Sequence, residues 1–136
     1  MVRPIVREVR RLKARSTPAA PADADTAQDL LDTLRAHRGQ CVGMAANMIG
    51  VNKRIIAVFT GMAELVMYDP VITGRQDPYM TQESCLSLEG VRPVRRFGRI
   101  TVQYRDARFR EHTGSFTGLT AQIIQHECDH LEGIII

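Results

Sequence analysis

Apolar positions along the 136-residue chain fall into two helical stripes separated by runs of strand-forming residues. Ala27, Leu30, Leu31 and Leu34 recur at the three-to-four spacing of an amphipathic helix that runs to His37. Asp25 with Gln28 resembles a capping box at its start, and Gly39 ends it. His37 then lies at the helix C-terminus, where the dipole favours a cation, and is not read as a ligand. The second stripe is Leu119, Ile123, His126 and His130, opened by Thr117 or Gly118 and closed by Gly133 as a left-handed cap.

Between the stripes, Gly50 to Lys53 reads as a turn and Arg54 to Phe59 as a β-rich run. Leu65 to Tyr68 and Val71 to Thr73 flank a break at Asp69-Pro70, and Glu83 to Leu88 is a short extended run. Ile100 to Tyr104 and Arg110 to Phe116 are two further strands, with a hairpin turn over Asp106 to Arg108 and a solvent-facing His112. Ser16 to Ala24, rich in Pro and Ala, reads as a loop. The expected fold class is therefore α+β: small antiparallel sheets packed around the helix of the second stripe, with an N-terminal helix covering one side.

At this length, and with 44% hydrophobic residues, one core is expected, so residues 1 to 136 read as a single domain. No apolar run approaches the roughly 20 residues that span a bilayer, and no secretory signal core opens the chain. The Arg-rich start carries Glu8 and the apolar Ile5, Val6 and Val9, which suits an ordered segment better than a targeting peptide. Three unpaired cysteines, at 41, 85 and 128, point to a reducing compartment, so a cytoplasmic protein is expected. Arg92, Arg95, Arg96 and Arg99 cluster within a net charge of +3, but Phe97 alone among them is aromatic, short of the repeated interleaving of a nucleic-acid site. They read as a solvated face, without sequence-specific nucleic-acid binding.

The chemistry concentrates in Gln125-His126-Glu127-Cys128-Asp129-His130. Two histidines four residues apart project from one helix face and can reach one ion, with Glu127 beside them as a base. Catalytic sites of the zinc type usually take three protein ligands and leave a position for water. Cys85, in Glu83-Ser84-Cys85-Leu86-Ser87, is the candidate third ligand. Cys41 and Cys128 read as small packing residues.

Three motifs in order, Cys41-Val42-Gly43-Met44-Ala45-Ala46-Asn47-Met48, Glu83 to Ser87 and Gln125 to His130, resemble those of the peptide deformylase family. The family patterns are Gly-x-Gly-hydrophobic-Ala-Ala-x-Gln, Glu-Gly-Cys-Leu-Ser and Gln-His-Glu-x-Asp-His. The third is intact here. Ser84 replaces a Gly in the second, and Cys41 and Met48 replace a Gly and the Gln of the first.

The resemblance implies a hydrolase that removes the formyl group from N-formylmethionyl nascent peptides, met close to the ribosome. It implies Cys85, His126 and His130 as ligands of one divalent metal ion, pointing to Fe2+ with Zn2+, Ni2+ or Co2+ as alternatives, and Glu127 as general base. Oxyanion stabilisation would come from the Leu86 backbone N–H, while Met48 stands where the family places an amide donor. A thioether donates nothing. Asn47 carries an amide one residue away, on the opposite face if the segment is extended. Val42, Gly43, Leu119 and Ile123 would help to form the substrate pocket. The C-terminal helix of many members is expected to be absent, because the sequence ends at Ile136. Three other readings stay open: a structural ion, a homologue that binds peptide with little turnover, and a hydrolase of another N-blocked amide.

Overall fold

In the computed structural model, which describes residues 1–136, five antiparallel strands join into one sheet in the order β1-β2-β3-β4-β5. They are Gly43–Ala45, Ile55–Phe59, Glu64–Cys85, Leu88–Arg105 and Glu111–Thr117. A short α1 (Val9–Leu12) precedes α2 (Ala24–Ala36), and α3 (Gly118–Leu131) follows the last strand. The several small sheets expected from short apolar runs are thus one continuous sheet. The Asp69-Pro70 break is a bulge inside β3, where the register shifts between Tyr68 and Val71 and Asp69 adopts φ 50°. An extra residue bends a strand without ending it, so β3 and β4 form one long hairpin.

Burial on both faces of the sheet explains the uninterrupted apolar run of β2. Ile55 and Ala57 face one core with Leu30 and Leu34 of α2, whereas Ile56 and Val58 face a second with Ala121, Ile124 and Leu131 of α3. Adjacent residues of β1 divide likewise, Met44 to the first core and Ala45 to the second. The sheet therefore lies between α2 and α3. Burying each of these leucine or isoleucine side chains contributes roughly 1.5–3 kcal/mol.

The helix boundaries differ slightly from those expected. α2 starts one residue before Asp25, after a 3-10 turn over Pro21–Asp23, and the Asp23 carboxylate accepts from the Ala20 N–H at 2.8 Å. Gln28 donates to Asp32 rather than closing a capping box. At the end of α3 Gly133 does adopt the left-handed conformation, φ 78°. A Cβ there would lie 2.3 Å from the Lys13 carbonyl oxygen, so contact as well as conformation requires glycine.

After β1 the chain turns through a 3-10 segment, Ala46–Ile49, capped by Gly50 at φ 87°. This bend buries Asn47, whose amide nitrogen donates to the carbonyls of Leu12 (3.3 Å) and His130 (2.9 Å). One side chain thus ties α1 to the C-terminal turn of α3. Asn47→Ala removes the donor from both carbonyls, and a loss of about 1–3 kcal/mol is expected in urea unfolding. A loss under a few tenths of a kcal/mol would show that these bonds contribute nothing net.

Candidate metal-binding active site

Strand and helix meet where β1 runs against α3. A Cβ added to Gly43 would lie 2.5 Å from Ile123 Cγ2 and 3.0 Å from Glu127 Oε2, so glycine lets this strand approach the helix. Beside the contact lies a cleft of about 260 Å³. Cys41, Val42, Gly43 and Met48 line one side, Glu83 to Leu86 another, and Leu119, Gln122, Ile123, His126 and Glu127 the helical wall. Val42 and Leu119 are 45% and 65% exposed at its mouth, while Ile123 is buried. An apolar mouth over a polar floor is the usual form of a ligand site.

At the floor, one ligand atom each from His126, Glu127 and His130 lies within 4.8 Å of the others, and all three side chains are buried. The two imidazole centroids stand 4.7 Å apart, as the four-residue helical spacing dictates. Cys85 lines the same cleft beside His126 and Glu127 but is not part of that close cluster.

His126 is oriented by Glu83, whose Oε1 accepts from Nδ1 at 2.7 Å and leaves Nε2 free for a ligand role. Two buried atoms of the cluster, Glu127 Oε1 and His130 Nε2, have no hydrogen-bond partner. Leaving such atoms unpartnered costs roughly 1–3 kcal/mol each, and a cation held by this donor set would satisfy both.

The electrostatics of His130 and Glu127 agree with this chemistry. Burial pulls the His130 imidazole down to about 3, so at neutral pH it is neutral, the form that ligates. His126 is also penalised by burial, yet its bond to Glu83 leaves it above the ordinary histidine value. Burial pushes Glu127 up to about 7, where a carboxyl can both take and return a proton near neutrality. Cys41 is a thiol raised to about 11, chiefly by burial, and Cys128 one raised to about 12 within the α3 core.

Arg96 corrects the expectation of a solvated arginine face. It is 4% exposed and donates from Nη2 to Glu83 Oε1 at 2.7 Å and from Nη1 to Asp129 Oδ2 at 2.6 Å. Arg95 and Arg99 stay exposed. Strand alternation is the reason, because Arg96 pairs with Tyr79 on the face towards α3, where two carboxylates compensate its charge. Gln122 adds a bond to Glu83 Oε2 at 2.9 Å.

Gln125, noted in the sequence only as part of its motif, has a structural task. It bonds both backbone groups of Phe97, accepting from its N–H at 2.9 Å and donating to its C=O at 2.8 Å. The helix is thereby seated on β4. Glu83, Arg96 and Asp129 were not singled out as site residues, although a buried carboxylate in a motif calls for a buried cation nearby.

A buried His-Glu-His cluster beneath an apolar cleft, in an α+β fold, defines a hydrolase-type metal centre. Residues 3–136 match the family model for polypeptide deformylase, and the chain belongs to that family. It is 49% identical to a peptide deformylase of Clostridium beijerinckii over 136 residues, which cover the whole of both chains. It is 40% identical to peptide deformylase 2 of Gloeobacter violaceus over 116 residues, 80% of this chain and 61% of that one. Its fold matches the crystal structure of the Thermus thermophilus peptide deformylase with TM-score 0.89 and 33% identity, covering 98% of this chain and 83% of that one. An actinonin-bound peptide deformylase from Acinetobacter baumannii matches with TM-score 0.89 and 27% identity, covering 99% and 95%. The chain is thus a metallohydrolase by family, and no helix is long and apolar enough to cross a membrane.

Glu83 gives this site a pH signature. Burial alone would raise its pKa, but the bonds from His126, Arg96 and Gln122 prevail and hold it at about 2. A carboxylate depressed in the folded state contributes stability that is full above its unfolded value of about 4.5 and lost as pH falls towards 2. Urea melts of the metal-free protein should therefore weaken between pH 4.5 and 2, and less steeply in Glu83→Gln. With its imidazole partner changed, Glu83→Gln should also bind metal about 10- to 100-fold less tightly. Wild-type metal affinity in that variant would remove Glu83 from the site.

Proposed function

We propose that this chain hydrolyses the formyl group from N-formylmethionyl peptides, with Cys85, His126 and His130 holding one divalent ion and Glu127 moving the proton. The observation that carries the reading is the buried carboxyl of Glu127, raised to about 7 between two imidazoles at the floor of the cleft. The chemistry such an ion supplies is Lewis acidity, which lowers the pKa of a water from about 15.7 to about 7 and polarises a carbonyl. Glu127 takes a proton from the attacking water as its oxygen bonds the formyl carbon. It returns that proton to the amide nitrogen as the C–N bond breaks, releasing formate and a free amine.

Negative charge on the formyl oxygen is met by the Leu86 backbone N–H at the cleft wall. Val42, Gly43, Leu119 and Ile123 receive the substrate. Exposure of Val42 and Leu119 supports this, because residues serving only the core would not stand open on a cleft. Nascent chains emerging into the cytoplasm are the substrate class. Two imidazoles and a thiolate suit ferrous iron as well as zinc, nickel or cobalt. We assign iron on the family resemblance.

Met48 favours a second reading, a homologue that binds formylated peptides with weakened turnover. Its side chain lines the cleft, packs within the α2 core and offers no donor. Asn47 does not replace the lost amide, since its nitrogen serves Leu12 and His130.

Formate release from formyl-Met peptides by anaerobically prepared, metal-loaded protein separates the two readings. Turnover that disappears in Glu127→Ala with metal content unchanged is the expected result, and absence of release by the wild type leaves the weakened homologue. Met48→Gln should raise kcat by about tenfold, a fraction of the hundred- to thousandfold that one such donor supplies elsewhere. An unchanged rate would mean that another group already fills the role. The iron-loaded form should lose activity in air while nickel or cobalt forms keep it, and equal persistence would refute the iron assignment.

A further inference from the structure

The N-terminal segment binds both walls of the oxyanion side of the cleft through consecutive residues. The Val6 N–H donates to the Met48 carbonyl at 2.8 Å, and Arg7 Nη1 donates to the Leu86 carbonyl at 2.9 Å. Met48 and Leu86 are the two positions at which oxyanion donors belong in the reading above. The segment is itself held down, with Val6 and Leu12 buried and the Leu12 carbonyl accepting from Asn47. It is thus an anchored base from which Arg7 reaches across to a different motif.

The turn that Arg7 grips needs an outside hold. Cys85 pairs with Leu88, leaving Leu86 and Ser87 as the two central residues of a hairpin turn. Favoured two-residue hairpin turns have φ > 0 at the first central residue, usually a glycine or asparagine. Neither Leu86 nor Ser87 has a positive φ, so this turn lacks the twist that would suit its strands, and the register slips between Glu83 and Cys85. Turns of types I and II differ by rotation of the central peptide plane. Here that plane carries the Leu86 carbonyl, and a charge-assisted bond to it fixes the plane. The Leu86 N–H belongs to the preceding Cys85–Leu86 peptide, so the bond acts on it through the turn as a whole, by restraining the two-residue connection between Cys85 and Leu88.

We propose that Arg7 is a positioning residue for the reaction, holding the Cys85-Leu86-Ser87-Leu88 turn so that the Leu86 N–H stays aimed at the oxyanion. The role rests on the reading of Leu86 as that donor. With Met48 in place of an amide, this N–H is the family-pattern donor left, so loosening its turn should register in turnover.

The test compares metal-loaded wild type, Arg7→Ala, Arg7→Lys and Arg10→Ala, with kcat and KM on a formyl-Met peptide, metal content and Tm read for each. Arg10 is an exposed cation on the same segment. A donor that acts in the transition state should show in kcat, so Arg7→Ala should lose about tenfold in kcat with KM within about twofold. Metal content and Tm should hold, Arg7→Lys should recover at least half of the loss, and Arg10→Ala should match wild type. An unchanged kcat in Arg7→Ala, a loss confined to KM, an equal loss in Arg10→Ala, or a fall in Tm or metal content that accounts for the deficit would each overturn the proposal. Failure of the wild type to release formate would strike instead at the deformylase reading.

Discussion

The buried carboxylate of Glu83 is the point on which the site depends. It accepts from Arg96, His126 and Gln122, and so ties β3, β4 and α3 into one charged network. An isolated buried carboxylate would take up a proton, and an isolated buried guanidinium would be strongly destabilising. Together, with Asp129 as second acceptor for Arg96, they hold their charges where water is excluded. The result is more than stability. His126 receives a fixed tautomer and ring orientation, and its Nε2 is left free for a ligand role.

The rest of the fold places this network against the strand that borders the cleft. Burial of the sheet on both faces fixes α3 relative to β1 and β2, and the absent side chain at Gly43 brings helix and strand close. Ile123 and Glu127 fill that space. Crowding by strand and helix removes water from Glu127, and this desolvation is the main cause of its raised pKa. One packing contact therefore sets both the depth of the cleft and the acid-base character of its floor. Gln125 completes the alignment by pairing with the backbone of Phe97, so that the ligand helix is registered to β4 by hydrogen bonds as well as by packing.

How much of this was legible in the sequence follows from the range of each interaction. His126, Glu127 and His130 declared themselves because a helix converts local spacing into proximity. The elements near them were legible for the same reason, as were the strand at Ile55–Phe59 and the turn at Asp106. Strand length was not, since Asp69-Pro70 reads as a stop and only the partner strand shows that pairing resumes beyond a bulge. The burial of Arg96 is not legible either, because its neighbours Arg92, Arg95 and Arg99 give it the appearance of a charged surface run. Its counter-charges sit 13 residues back on β3 and 33 ahead on α3. An extended segment would point Asn47 away from the Met48 face, whereas a 3-10 turn redirects its side chain inward. The strand and Arg96 misses are long-range pairings that no local pattern encodes, and the Asn47 miss is a local turn that brings a long-range bond.

Met48 shows how a change at one donor position shifts weight to its neighbours. A glutamine amide facing the cleft would be held by what it donates to. Met48 is held instead by apolar packing in the α2 core and offers no donor to the cleft. On the proposed reading, oxyanion stabilisation would rest on the Leu86 backbone N–H, which is no better placed than the turn that carries it. That turn has no glycine at its centre and no primed geometry, so its own twist does not define it. Definition must come from outside, and the bond that reaches it starts in the N-terminal segment, from Arg7, the neighbour of the Val6 that donates to the Met48 carbonyl. If the proposed roles hold, preorganisation of the reacting centre is distributed over three stretches far apart in sequence, and its weakest member is a single bond at the surface.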